Sequence, residues 1–175
     1  MSTINYKKVI GFAAYSGTGK TTLIKKVVKI LKELNYKVSV IKHAHHDFDT
    51  DLPGKDSYEI RASGAENMLI SSSKRWALIH ENNNNSELKL TDLLTILKSI
   101  DSDIILVEGF KSENFPKIEL YRKEVGKELL CGSDKNIVAI ATDSNINIGK
   151  NIKILDINNP MQIVDYIIEY LDISK

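Results

Sequence analysis

The chain has 175 residues, a length that suits one domain with a proper core between a sheet and its covering helices. With 24 Lys and Arg against 23 Asp and Glu, the net charge of +1 gives no electrostatic reason to expect broad binding to nucleic acid or to a membrane surface. A single cysteine, Cys131, excludes an intrachain disulfide framework and a cysteine-built zinc knuckle; no apolar run approaches the roughly 18 residues of a membrane span, and no signal-like start precedes Lys7 and Lys8, so a cytoplasmic protein is expected.

In chain order, Lys8 to Ala14 reads as a short apolar strand, and Ala14-Tyr15-Ser16-Gly17-Thr18-Gly19-Lys20-Thr21 follows it directly. The segment matches the phosphate-loop pattern of Gly, four residues, Gly-Lys-Ser/Thr, except that Ala14 stands at the first position. Gly17 and Gly19 let successive backbone N–H groups converge on phosphate oxygens. Lys20 supplies a point charge for the β and γ oxygens, and the Thr21 hydroxyl suits a Mg²⁺ that bridges them. From Thr21 onward Leu23, Ile24, Val27, Val28, Ile30, Leu31 and Leu34 recur at helical spacing, so a helix N-terminus aims its free N–H groups at the same anion.

Asn35 is placed for a left-handed cap, and Lys37 to Lys42 is a second strand, which makes a βαβ unit and predicts a mostly parallel sheet with helices on its faces. Pro53-Gly54 marks a turn, Lys55 to Ala62 a short helix closed by Gly64, and Glu66 to Ser71 with Arg75 to Glu81 a hairpin turning at Ser72-Ser73-Lys74. Asn82 to Ser86 is a polar loop that calls for no chemistry. A helix is expected over Leu90 to Ile100 and a central strand over Asp103 to Val107, ending at Glu108-Gly109. Strands near Lys117 to Tyr121, Asn136 to Ala141 and Lys153 to Leu155 precede a closing helix from Pro160 to Leu171.

Two further groups sit on the predicted carboxyl edge, where open α/β sheets bind ligands. Glu108 ends a buried strand, where an acidic residue holds the Mg²⁺ hydration shell or orients a water, unless it simply reaches solvent. Lys42-His43-Ala44-His45-His46-Asp47 follows the second strand. These histidines and the carboxylate are donors for zinc or nickel, but adjacent His45 and His46 point to opposite sides of an extended segment. The other readings are a switch-like loop with Asp47 or Asp49 near the metal shell, and plain solvated residues. Lys55 and Arg61 could reach a second anion, although charges on a short amphipathic helix more often form a solvated face. Asp143, just beyond the strand ending Ala141-Thr142, matches the N–H donors of a guanine edge, but the Asn-Lys-x-Asp guanine reader is missing, so pattern alone does not name the base.

Taken together, Phe12 to Leu23, Ile41 to Asp47, Pro53-Gly54-Lys55-Asp56-Ser57-Tyr58 through Arg61, Arg75-Trp76-Ala77-Leu78 and Ile105 to Lys111 resemble the molybdopterin-guanine dinucleotide biosynthesis protein B family over nearly the whole chain, and Ala14 is familiar there too. The resemblance implies a P-loop NTPase-like α/β protein of one domain, residues 1–175, with a hairpin extension at about 66–81 used for dimerisation. It further implies GTP and Mg²⁺ as cofactors and weak GTPase activity. The implied role is that of an adapter beside the molybdenum cofactor guanylyltransferase, with molybdopterin as a candidate ligand. Carried over by position, Ser16, Gly17, Thr18, Gly19, Lys20, Thr21 and Thr22 hold the nucleotide, with Asp143 at the base. Lys20, Glu108 and Asp47 are the candidate catalytic residues, Thr21, Glu108 and Asp47 the candidate metal residues, and Asp56 a further candidate near phosphate.

Two other functions fit the motifs. A small-molecule kinase would use Arg61, His43 and Lys111 as acceptor anchors, and a metal-chaperone GTPase would use His43, His45 and His46.

Overall fold

The computed structural model describes residues 6–44, 48–82, 87–148 and 152–174. The chain divides into two compact units, Met1–His43 with Leu93–Lys175, and Ala44–Asp92. The first contains a six-stranded sheet built from β1 (Val9–Ala13), β2 (Val38–Lys42), β5 (Ile104–Glu108), β6 (Lys117–Tyr121), β7 (Ile137–Thr142) and β8 (Lys153–Asp156). The strands lie in the order β2-β5-β1-β6-β7-β8, and every pairing is parallel.

The sequence of β1, Val-Ile-Gly-Phe-Ala, has no solvent face, and all five residues are buried, as a strand in the middle of a parallel sheet requires. Side chains alternate across it. Ile10 and Phe12 join the inner faces of α1 (Lys20–Glu33) and α4 (Pro160–Leu171) in one apolar cluster, while Ala13 joins Cys131, Ile137 and Ile140 in another. The buried stripe of α1 is Leu23, Ile24, Val27 and Leu31, and that of α4 is Ile163, Val164, Ile167 and Leu171. Each full burial contributes roughly 1.5–3 kcal/mol, which holds the helix behind the phosphate loop against the sheet.

Both helices end as their residues dictate. Asn35 adopts φ 63° just past α1. Its N–H donates to the Lys32 carbonyl at 3.0 Å and that of Tyr36 to the Leu31 carbonyl at 2.9 Å, the paired bonds of a Schellman cap. At α4 the Asn159 side chain accepts from the Gln162 N–H at 3.2 Å, and Pro160 fills the first position, where no N–H is needed.

On β6 two buried charges pin the connection to β7. Lys117 donates to the Glu113 carbonyl at 2.6 Å and to Asp134 Oδ2 at 2.9 Å, with its ammonium 4.6 Å from the centre of the Phe115 ring. Glu119 accepts the Leu130 and Cys131 N–H groups at 2.6 and 2.8 Å. Burial pushes the Glu119 carboxyl above its usual range, against the downward pull of those two bonds.

The second unit holds α2 (Asp56–Ala62), β3 (Asn67–Ser71) and β4 (Trp76–His80), and α3 (Leu90–Leu97) begins within it. The predicted hairpin forms in the register Leu69 opposite Leu78 and Ser71 opposite Trp76. The Ser72 hydroxyl oxygen accepts from the Lys74 and Arg75 N–H groups at 3.3 and 3.2 Å and so closes the turn. Leu69, Trp76 and Leu78, on one face, are 63%, 60% and 53% exposed.

Some boundaries differ from expectation. The helix expected to reach Ile100 stops at Leu97, and the Ser99 hydroxyl donates to the Ile96 carbonyl at 3.3 Å, an alternative partner to the helical ladder. Single 3₁₀ turns at Lys123–Val125 and Leu130–Gly132 were not foreseen, because three residues carry no periodic signal. The asparagine-rich loop at Asn82 to Ser86 lies outside the described residues from 83 to 86. No helix among the described residues is long and apolar enough to cross a membrane.

Candidate functional site

The loop between β1 and α1 is shaped by two glycines in the left-handed region, Gly17 at φ 85° and Gly19 at φ 88°. A Cβ at either would meet no atom within 4 Å, so the requirement is conformational: the loop must turn its amides outward without side chains above them. Thr18, between them, is buried, and its hydroxyl donates to the Tyr15 carbonyl at 2.8 Å, bracing the loop from within. Ser16, Thr21 and Thr22 are exposed at the rim, the last two in the first turn of α1. The Leu23 N–H already bonds the Gly19 carbonyl at 3.0 Å, so the helix starts at the loop itself and its free N–H groups are those of the motif.

Glu108 is the last residue of β5, 8% exposed, in register with Phe12 of β1 and Lys42 of β2. The register sets three strand ends level at the carboxyl edge. The Lys20 ammonium bonds directly to Glu108 Oε1, and the Lys42 ammonium stands 4.0 Å from Oε2. Gly109 then turns at φ 101°, and a Cβ there would come within 2.4 Å of the His43 Cβ. That close approach lets the His43 N–H reach the Glu108 carbonyl at 2.8 Å and brings the His43 ring to 5.0 Å from Phe110. From the same turn, Lys111 places its ammonium 5.5 Å from the centre of the Tyr15 ring, beside the phosphate loop.

On the other flank of β1, Arg122 follows β6 and pairs with Asp143, which follows β7. Its Nε donates to the Thr18 carbonyl at 3.3 Å. Among the groups just described, four cations (Lys20, Lys42, Lys111, Arg122) stand with two carboxylates (Glu108, Asp143), an excess that suits a polyphosphate.

The predicted residues Lys20 and Glu108 are therefore in direct contact, and Asp143 occupies the same carboxyl edge. Asp47, named for catalysis and metal, and His45 and His46 lie outside the described residues. Among the described residues no three His, Cys, Asp or Glu side chains gather as a metal-holding group. Asp56 and Ser57 line an open cavity of about 780 Å³ within the second unit, together with Thr50, Asp51 and Lys55. Arg61 is committed inside that unit. It donates to both Asp49 oxygens at 2.8 Å and to Glu81 Oε1 at 2.5 Å, its guanidinium 5.4 Å from the Tyr58 ring centre. Those bonds raise the guanidinium pKa and hold the Asp49 carboxyl below its usual range, so Arg61 acts as an internal tie. The sequence reading gave no role to Arg122 and none to the Lys42 ammonium; their one signal was position, at or just after a strand's carboxyl end.

A family model described as molybdopterin guanine dinucleotide synthesis protein B, MobB, matches residues 9–143. The chain belongs to the MobB family. It is similar to the molybdopterin-guanine dinucleotide biosynthesis adapter protein of Escherichia coli strain K12, 42% identical over 166 residues that span 93% of each chain. The adapter protein of the same name from Haemophilus influenzae is 37% identical over 95% of this chain and 91% of its own. Among solved structures, Bacillus subtilis MobB superposes with a TM-score of 0.72 at 23% identity, covering 93% of this chain and 96% of that one. HypB from Helicobacter pylori, solved in complex with nickel, gives 0.52 at 15% over 94% and 86%, which speaks for the fold alone. MobB membership and a phosphate-loop α/β fold agree with the family and the sheet expected from the motifs.

Proposed function

We propose that this MobB chain is a GTP-binding adapter with weak GTPase activity, acting in the cytoplasm to assist conversion of molybdopterin to its guanine dinucleotide form. What carries the proposal is the contact between Lys20 in the phosphate loop and Glu108 at the end of β5, which gathers a phosphate-binding cation and an acidic strand end at one point. The adapter names of the relatives from Escherichia coli and Haemophilus influenzae support the pathway. Gly17 to Thr22 form the cradle, Lys20 contacts the outer phosphates, and Asp143 receives the guanine edge. The second unit, with its hairpin, is taken as an extension of one nucleotide-binding domain.

Thr21 and Glu108 would hold a Mg²⁺, with Asp47 as a further candidate; the described donors are all oxygen, as this hard ion prefers. When bound, the ion neutralises phosphate charge. Weak turnover fits the placement of Arg122, which follows β6 on the other side of β1 from β5 and is committed to Thr18, Asp143 and Asn158. Binding energy then serves to hold a conformation that the molybdenum cofactor guanylyltransferase recognises, with molybdopterin as the third participant. Calorimetry should show GTP uptake in the presence of magnesium that exceeds ATP uptake. If neither nucleotide binds the folded protein, the proposal fails.

The chain is further proposed to be a homodimer paired through β3 and β4. Leu69, Trp76 and Leu78 expose an apolar face, and among the described residues β3 and β4 pair only with each other. Replacing Leu78 with lysine, which sets a charge opposite Leu69, is expected to give a monomer in sedimentation velocity at concentrations where the native protein is dimeric. A variant that stays dimeric removes the hairpin from the interface.

A further inference from the structure

One guanidinium joins four separate segments of the first unit. Arg122, directly after β6, donates through Nε to the Thr18 carbonyl at 3.3 Å, pairs through one terminal nitrogen with Asp143 Oδ2, and donates through the other to Asn158 Oδ1 at 3.1 Å. Asp143 follows β7 and Asn158 follows β8, so the side chain spans the carboxyl ends of three neighbouring strands and reaches into the loop that leaves a fourth. Planar guanidinium presents five donors in a fixed fork, a geometry that an ammonium cannot reproduce.

The place of Arg122 decides what the fork can do. β1 lies between β5 and β6. Lys20 and Glu108 mark the β5 flank, where the terminal phosphate would lie, whereas Arg122 and Asp143 mark the β6 and β7 flank, where the guanine edge proposed for Asp143 would lie. Its bond to Thr18 falls on a carbonyl, so it leaves the outward amides of the loop available to an anion. Asp143 is held at one oxygen by Arg122, while the other accepts from the Ser144 hydroxyl at 3.2 Å. Such a carboxylate is turned to one orientation before a base arrives.

We propose that Arg122 is a positioning residue that sets the phosphate loop and the base-reading carboxylate of Asp143 as one piece, so that grip on phosphates and discrimination of the base depend on the same side chain. The proposal rests on the guanine-nucleotide function above. It is tested by calorimetry or displacement with GTP, inosine triphosphate, which lacks the 2-amino group, and inorganic tripolyphosphate, each with magnesium, on the native protein and on Arg122→Lys.

The native protein is expected to prefer GTP over inosine triphosphate by about tenfold, the loss that follows from leaving one charged hydrogen bond unmade. In Arg122→Lys that ratio should fall toward one, and tripolyphosphate should bind several-fold more weakly. A loss in only one of the two, or in neither, overturns joint positioning. Should Arg122→Lys fail to fold, Asp143→Ala serves instead: it removes the acceptor that holds the guanidinium in place against the loop, and an unchanged tripolyphosphate affinity there also overturns the coupling. Equal native affinity for GTP and inosine triphosphate would remove guanine readout by Asp143 and, with it, the coupling. The tripolyphosphate measurement then shows separately whether Arg122 anchors the loop.

Discussion

Replacing Lys20 with alanine is expected to lower GTP affinity by about a hundredfold while the protein still folds, since charge-assisted hydrogen bonds contribute about 1.5–3 kcal/mol each and this ammonium has more than one phosphate oxygen to reach. A second effect should accompany the first. Glu108 is 8% exposed, and its bonded partner is Lys20; Lys42 stands at 4.0 Å from the other oxygen. Removing one member of a buried pair costs about 3–5 kcal/mol when the other is left charged, a figure reduced here by Lys42 and by partial hydration. The double variant Lys20→Ala, Glu108→Gln should therefore recover stability against urea without recovering GTP binding. Titration calorimetry and denaturant melts on the four members of the cycle separate the two effects. Native affinity in a folded Lys20→Ala protein would remove the lysine from phosphate binding.

Gly109→Ala is expected to destabilise the protein by about 3 kcal/mol, as the sum of left-handed backbone strain and overpacking. At φ 101° an L side chain is strained in any surroundings, and here the new Cβ falls 2.4 Å from the Cβ of His43. Neither atom belongs to the end of a flexible side chain, so the backbone after β5 or after β2 has to move. That shift acts on the bond from the His43 N–H to the Glu108 carbonyl, 2.8 Å long, and through it on the carboxylate facing Lys20. GTP affinity should fall by about tenfold, the loss of one charge-assisted contact. Gly126→Ala is the matched comparison: its φ is 67°, and a Cβ there meets no atom within 4 Å. It should cost about 1–2 kcal/mol and leave GTP affinity unchanged. Equal losses in both variants would show that crowding against His43 is not limiting.

Much of the fold was legible because burial and backbone periodicity leave marks in the residues. The unbroken apolar run of β1 and the helical recurrence in α1 predicted a strand, a phosphate loop and a helix in that order, and the structure has them. Strand order was not legible. Nothing local in Val9 to Ala13 states that its neighbours are β5 and β6. Glu108 could be picked out as an acidic residue closing an apolar strand, but its contact with Lys20 depends on the register of β5 with β1, which only assembly sets. Arg122 escaped for the same reason: an arginine after a strand looks like any solvated charge until Thr18, Asp143 and Asn158 converge on it from three other segments. Arg61, expected on a solvated helix face, is instead 14% exposed and tied to Asp49 and Glu81, partners that local spacing on a short helix does not reveal.

The placement of β1 has a consequence for the order of synthesis. The strand that carries the phosphate loop leaves the ribosome before the whole Ala44–Asp92 unit, yet both strands that flank it, Ile104–Glu108 and Lys117–Tyr121, are made after that unit. Contacts of such long sequence separation form late, because the intervening chain must be closed before they repay its entropy. A nascent chain halted before Ile104 thus carries the complete glycine-rich motif without either strand that flanks it, and the seat of the phosphate loop is completed only once Lys117–Tyr121 has been made.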